Sequence, residues 1–212
     1  MKDENSRMLS FGAALAGDIL SILTPGGGLF SKLADEYLAK KNQEAVDVAI
    51  EELSFGRVEF HESDIQPFVA VLLRYSKAAS EGAARRNLRL LMQIVVGLKR
   101  NRSLSEEAFR RWAGVLEHMT RDELMFVGHA VRFYKEIVSG TMPDDIRFWG
   151  LILKSMQNSG YQEEETSAIA AAVSRSGLFI PLLTAGGLSY KASPRLAELT
   201  LLIDSESLVK DD

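Results

Sequence analysis

Apolar residues recur every three or four positions along most of this chain, which is the spacing of amphipathic helices. Charged residues occupy the opposite face of most of these stretches, so the helices should pack around a common core. Capping residues separate the stretches: Ser105 precedes two glutamates, and Thr120 with Glu123 forms a capping box. The pattern predicts helices over about 29–53, 64–75, 81–98, 105–116 and 120–137.

The stretch 81–98 differs from the others because it becomes apolar on all sides toward its end. A helix with this pattern is buried by several neighbours at once. We therefore expect it at the centre of the core, with Asn87 as a structural hydrogen-bonding residue next to the buried run.

A second pattern begins after residues 139–143, which are rich in turn formers and predict a linker. Helices are expected over 146–156 and 163–174, followed by an apolar strand, a Gly186-Gly187 turn and a second short strand. Ser193-Pro194 then opens a last helix. Helix, turn, helix and hairpin in this order are typical of a winged-helix module.

The predicted fold class is therefore mainly α. An N-terminal helical bundle with a Gly-rich first segment occupies residues 1–140. A small winged-helix-like module with one β-hairpin and a short acidic tail occupies residues 141–212. Pro181 within the first strand predicts an edge or bulged strand, because proline cannot donate to a sheet ladder.

Composition places the chain among ordinary globular proteins, since 46% of its 212 residues are hydrophobic and 25% are charged. Its formal net charge of −4 argues against nucleic-acid binding over the whole surface, which requires a basic domain or stripe. Cysteine is absent, which excludes disulfides and thiolate chemistry and fits the reducing cytoplasm. We expect a cytoplasmic protein in which any nucleic-acid role is confined to a local patch.

The segment 8–30, which begins at Met8 and ends at Phe30, is mostly small and apolar. Asp18 and the glycine-rich break near its end leave no run of the roughly 18 apolar residues that a membrane span needs. A signal peptide is disfavoured because Asp3 and Glu4 spoil its positive leader. We expect this segment to pack as a helix and to support a homo-oligomer, with peripheral membrane contact as an alternative.

No residue pattern in the chain specifies a reaction. None of the three histidines, His61, His118 and His129, has a second histidine at ligand spacing, and no serine lies in a Gly-x-Ser-x-Gly turn. The triple glycine 26–28 before Lys32 lacks the Walker spacing, which favours a helix-ending turn over a phosphate loop. We expect a non-enzymatic protein with no metal and no cofactor.

The strongest charge feature is a local basic region over residues 81–111, where eight basic residues stand against three acidic ones. Arg85 and Arg89 lie on one helical face and can accept a phosphate or an acidic partner. The alternative is that these arginines pair with the acidic stretch 44–52. The candidate partner- or anion-binding residues are Arg85, Arg86, Arg89, Lys99, Arg100 and Arg102; Arg110 and Arg111 complete the basic set.

A DNA-binding role for the predicted wing would use Lys191 and Arg195 on the phosphate backbone. The helix before the wing begins with Glu163, Glu164 and Glu165, which repel phosphate at the end where base contacts should start. Two cations are also a small electrostatic footprint. A protein partner for this module is therefore favoured over DNA.

From the buried helix onward, the order of motifs resembles that of the abortive-infection alpha (Abi-alpha) proteins of bacteria and prophages. The resemblance covers roughly residues 64–203. It implies an all-helical body, a winged-helix-like end and a link to phage exclusion, and it brings no catalytic residues. The matching parts are residues 87–92, Phe109 with Trp112, residues 119–124, residues 176–179 and residues 190–194.

These patterns predict a binding protein linked to prophages or to phage defence. It would use the basic helix and the apolar N-terminal helices to contact a protein partner. The alternatives are a winged-helix DNA-binding regulator and a peripheral membrane protein.

Overall fold

The computed structural model describes residues 29–56, 64–141, 148–184 and 187–203. Within these residues the chain is mainly helical with one two-stranded antiparallel hairpin, which confirms the predicted class at this level. The elements are α1 (Leu29–Gly56), α2 (Ile65–Ser80), α3 (Arg85–Arg100), α4 (Glu106–Leu116), α5 (Arg121–Val138), α6 (Phe148–Asn158), α7 (Glu163–Ser174), β1 (Phe179–Thr184), β2 (Gly187–Ala192) and α8 (Pro194–Leu202).

Several predictions concern residues outside the described ranges. They are the apolar segment up to residue 28 with its glycine turn, His61, most of the predicted linker, Gly186 and the acidic tail. Among the helices that the structure describes, none is both long enough and apolar enough to cross a membrane.

The chain divides into two compact units, residues 1–118 and 119–212. In the first unit α3 packs against α1, α2 and α4. Its middle is buried all round, and Leu88, Leu91 and Val95 have no exposed surface. The prediction that this helix forms the centre of the first core is confirmed.

Two buried polar side chains of the first unit are satisfied by backbone carbonyls. Asn87 Nδ2 donates to the carbonyl of Leu116 at 2.6 Å, and Tyr75 Oη donates to the carbonyl of Ala45 at 2.8 Å. Burial raises the pKa of Tyr75 well above its ordinary value, so the phenol keeps the proton it donates. Asn87 thus has the structural hydrogen-bonding role expected from its place beside the apolar run.

The second unit is built around α5, which packs against α6, α7 and α8. Thr120 starts α5 with the predicted capping box: its side chain accepts from the Glu123 N–H, and the Glu123 carboxylate accepts from the Thr120 N–H at 2.8 Å. The buried face of α5 includes Leu124, Phe126 and Val131.

The division between the units falls before α5, whereas the sequence predicted a boundary near residue 140. The physical reason is that the apolar face of α5 is covered by the helices that follow it, so α5 belongs to the second unit. Turn residues at 139–141 mark the end of this helix rather than the edge of a unit.

Candidate binding surface on the hairpin

The hairpin of the second unit is anchored at its root by aromatic side chains. Phe179, the first residue of β1, is 3% exposed, and its ring centre lies 5.1 Å from that of Phe126 and 6.4 Å from that of Phe148. From β2, the buried ring of Tyr190 lies 4.9 Å from that of Trp149. Aromatic pairs at these distances add to the stabilisation gained from burial. The root is therefore held on α5 and α6.

Ser193 joins the end of the hairpin to the start of α8. Its N–H donates to the carbonyl of Leu178 at 3.1 Å, and its hydroxyl donates to the carbonyl of Gly177 at 2.6 Å. The same hydroxyl accepts from the N–H groups of Arg195 and Leu196, which makes Ser193 the N-cap of α8, with Pro194 in the first turn. The predicted Ser193-Pro194 helix start is confirmed.

The outer half of the hairpin exposes large apolar side chains on both faces. The strands pair from Phe179 opposite Ala192 to Thr184 opposite Gly187, and side chains alternate between faces. Leu183 and Leu188 share one face and are 89% and 52% exposed; Ile180 and Leu182 share the other and are 38% and 37% exposed. We name Ile180, Leu182, Leu183 and Leu188 the hairpin apolar surface.

Pro181 lies at a position of β1 where the missing N–H removes no hydrogen bond between the strands. The bond from the Ser193 N–H to the Leu178 carbonyl fixes which residues of the ladder exchange hydrogen bonds, because such pairs alternate along an antiparallel ladder. Pro181, opposite Tyr190, falls at a pair that does not exchange them, so its nitrogen is directed away from β2. The predicted edge position of this proline is confirmed, since each strand of a two-stranded sheet is an edge.

The two predicted wing cations lie in different surroundings. Lys191 is exposed on β2 opposite Ile180. Arg195 is half-buried, and its Nη1 donates to the carbonyl of Ser176 at 2.8 Å, at the foot of the hairpin. Arg195 thus supports the chain entering β1, while Lys191 presents its charge on the surface.

The predicted anion-binding arginines at the start of α3 lie against the acidic face of α1. Arg85 lies 3.7 Å from Glu51, and Arg89 lies 3.5 Å from Glu51 and 3.3 Å from Glu52. Gln93 also donates to Glu52, at 3.2 Å. Glu52 is buried, so these donors offset the loss of its hydration. The alternative interpretation, in which Arg85 and Arg89 pair with the acidic stretch, is confirmed.

Of the other candidate cations, Lys99 and Arg100 lie at the opposite end of α3 from Arg85 and Arg89. Lys99 pairs with Asp64, and Arg100 donates to the carbonyl of Gly56 at 2.9 Å. These residues lie about 15 Å along the helix from Arg89 at 1.5 Å per residue. Arg86 is half-buried near the start of α3, and Arg102 is exposed in the following turn. The basic region therefore ties α3 to its neighbours at both ends.

Arg110 and Arg111 line a shallow depression of about 440 Å³ on α4, together with Ser105, Glu107 and Ala108. The guanidinium of Arg111 lies 5.5 Å from the centre of the Trp112 ring, within reach of a cation–π interaction. The Glu107 carboxylate lines the same depression. The Ser105 hydroxyl accepts from the Ala108 N–H as the N-cap of α4. These contacts leave the depression with mixed charge.

Sequence reasoning missed a polar contact between α5 and α6. Ser155 Oγ lies 3.0 Å from His129 Nδ1, and Arg132 Nη2 donates to the same oxygen at 3.4 Å. Burial, and then the charge of Arg132, lower the pKa of His129 to about 4, so this imidazole is neutral near pH 7 and a weak base. The arrangement fits a structural contact better than a nucleophile with its base. His129 and Ser155 are 26 positions apart on separate helices, and no local motif connects them.

Acidification from pH 7 to pH 5 is expected to destabilise the second unit through His129. The pKa is about 4 in the folded unit against an ordinary value of 6.5, so between these values the unfolded chain binds a proton that the folded unit does not. The free energy of unfolding should therefore decrease as the pH is lowered from 7 to 5, by at most about 1.4 kcal/mol per pH unit. Urea unfolding followed by Trp149 fluorescence in a Trp112→Phe background measures this slope. His129→Gln should flatten it, and an unchanged slope would contradict the assignment.

Metal-binding groups are not assembled in the part of the chain that the structure describes, where no cluster of three His, Asp or Glu side chains occurs. His118 is exposed beyond the end of α4, and its Nε2 lies 3.4 Å from a carboxylate oxygen of the neighbouring Glu117. Glu117 also binds Arg74 at 2.9 Å, which gives this pair a structural role in the first unit.

The sequence indicates the hairpin but not its exposed apolar side chains. The run Phe179-Ile180-Pro181-Leu182-Leu183 has no alternation of apolar and polar residues, and such a run equally fits a strand buried on both faces. Unbroken hydrophobicity next to a Gly-Gly turn was the available signal.

Comparisons with protein-family models, with curated proteins and with solved structures return no match for this chain.

Proposed function

We propose that this chain is a non-enzymatic binding protein whose contact surface is the hairpin apolar surface of a winged-helix-like second unit. One observation carries the proposal: four large apolar side chains lie exposed on a hairpin whose root is fixed in an aromatic core. Exposed apolar clusters mark interaction sites in soluble proteins. Because the root is packed into this aromatic core, little ordering cost should accompany contact at the tip.

The winged-helix-like description rests on the order of the elements in the second unit. α6 and α7 precede the hairpin, and α8 follows it. DNA binding remains the alternative function of such a module, supported by exposed Lys191. The acidic first turn of α7 disfavours it because carboxylates repel phosphate, and the hairpin presents mainly apolar side chains beside Lys191. Retention on DNA at low salt that Lys191→Glu weakens would favour the alternative.

Phage exclusion is the biological setting that we propose, on the basis of the resemblance to Abi-alpha proteins. The resembling residues carry structural roles: Asn87 bonds the end of α4, Thr120 caps α5 and Ser193 caps α8. These structural roles support an architecture similar to that of the Abi-alpha proteins. The N-terminal segment 8–30 remains a predicted oligomer contact, and Arg102, Arg110 and Arg111 remain exposed cations for an acidic partner.

The proposal predicts that serine at both Leu182 and Leu183 strongly reduces function and leaves the fold intact. This hairpin variant removes two exposed apolar side chains, and burial of one such side chain contributes about 1.5–3 kcal/mol. Phage plating on the native host, with the gene deleted and then complemented, should show about tenfold or greater loss of protection. The control variant, Val138→Ser with Leu201→Ser, removes exposed apolar groups elsewhere in the second unit and should protect as the wild type does.

Two results would contradict parts of this proposal. Equal protection by the hairpin variant and the wild type would show that the hairpin is not the contact surface. No protection by the wild-type gene would remove the phage setting. Thermal unfolding of each variant establishes that the comparison is made between folded proteins.

A further inference from the structure

We infer that the hairpin apolar surface inserts into the interface of an anionic phospholipid bilayer. This inference rests on the proposed function, because it names the partner of the same surface. It differs from membrane contact through the N-terminal segment 8–30, since the residues involved lie on β1 and β2 of the second unit.

Apolar side chains are exposed on both faces of the hairpin. Leu183 and Leu188 lie on one face, and Ile180 and Leu182 lie on the other. A protein that docks on a sheet covers one face and leaves the opposite face in water. A bilayer interface surrounds an inserted tip and covers both faces together, so it accounts for the whole exposed set.

The length of the hairpin suits shallow insertion with Lys191 outside the hydrocarbon. Lys191 pairs with Ile180, four pairs below the last pair of Thr184 with Gly187, which places it about 13 Å from the tip at 3.3 Å per residue. Interfacial segments bury their apolar side chains about 5–10 Å into the boundary between headgroups and acyl chains. With the tip at that depth, the Lys191 ammonium lies level with the lipid phosphates, where long basic side chains reach water.

The backbone of the hairpin limits the insertion to this shallow depth. Among the residues that the structure describes, no further strand lies beside the outer edge of β1 or β2, and unsatisfied N–H and C=O groups are costly in hydrocarbon. Pro181 has no N–H on the outer edge of β1, so this edge carries one donor fewer. The interface retains water and headgroups for the remaining groups.

Basic residues outnumber acidic ones around the hairpin. Between positions 166 and 203 the chain has one acidic residue, Glu198, against the basic residues Arg175, Lys191 and Arg195. Arg175 is exposed immediately before the residues that lead into β1, and Lys191 is exposed on β2. The acidic first turn of α7 lies about 16 Å from Ser174 along the helix axis. The cations thus lie at the hairpin end of α7, which favours anionic headgroups over zwitterionic ones.

Flotation with vesicles tests this inference on the full chain. Vesicles of phosphatidylcholine with phosphatidylserine should carry the wild type upward in a density gradient, and vesicles of phosphatidylcholine alone should carry less. The hairpin variant should lose about tenfold or more of the binding, because two inserted leucines are removed. Lys191→Glu should lose several-fold on anionic vesicles only. The control variant Val138→Ser with Leu201→Ser should float with the wild type.

Leu183→Asp is a second variant, and it should fold as the wild type does because the Leu183 side chain is 89% exposed. Flotation that survives both Leu183→Asp and the hairpin variant overturns the inference and points to the segment 8–30. Absence of wild-type flotation also overturns it; if protection against phage still requires Leu182 and Leu183, the proposed function stands with a protein partner. Light scattering that shows a dimer dependent on these leucines, without vesicles, assigns the surface to a second copy and overturns the lipid assignment.

Discussion

Replacing Phe179 with alanine should lower the free energy of unfolding of the second unit by about 3–5 kcal/mol, the usual cost of removing a buried phenylalanine. Phe179 is 3% exposed and packs on Phe126 and Phe148, so its loss opens a cavity where the hairpin meets the helices. Urea unfolding followed by Trp149 fluorescence measures the change, because the chain has two tryptophans and Trp112→Phe leaves only this reporter.

Leu183→Ala is the matched control on the same strand. Its side chain is 89% exposed, and the substitution should change the free energy of unfolding by less than about 0.5 kcal/mol. A large loss at Leu183 or a negligible loss at Phe179 would contradict the division of the hairpin into an anchored root and an exposed outer half.

Leu91→Ala should destabilise the first unit by about 2–5 kcal/mol, since a fully buried leucine at the centre of a core leaves a cavity that neighbours fill only in part. Leu73→Ala on α2 is the control, because the Leu73 side chain is 48% exposed. Trp112, which is buried in this unit, reports the transition in a Trp149→Phe background.

Similar losses at Leu91 and Leu73 would contradict the central position of α3. The expected contrast also bears on the basic region, because a helix buried along its middle presents its cations to neighbouring helices at its two ends. Arg89 against Glu52 and Lys99 against Asp64 are the contacts that follow from this placement.

Local patterns predicted those elements whose determinants lie close together in the sequence. The unbroken apolar run of α3 requires burial on all sides, and the Thr120 capping box requires residues three positions apart. In each case the residues that determine the structure lie within one element.

The sequence did not determine which side chains of different elements contact each other. Arg89 and Glu52 are 37 positions apart, and the sequence could only pose pairing and partner binding as alternatives. His129 with Ser155 required the packing of α5 on α6. The division of the chain depended on which helices cover the apolar face of α5, and the exposure of Leu183 depended on where the aromatic core ends.

A fluorescent label at position 183 tests the central claim most directly. The chain has no cysteine, so Leu183→Cys gives a single attachment site for an environment-sensitive dye, and Glu164→Cys on α7 gives an exposed control. When the protein is bound to anionic vesicles, the dye at 183 should shift to shorter wavelength and brighten, and the dye at 164 should stay as in water. Vesicle binding that leaves the dye at 183 in water would contradict the claim that the hairpin apolar surface makes the contact.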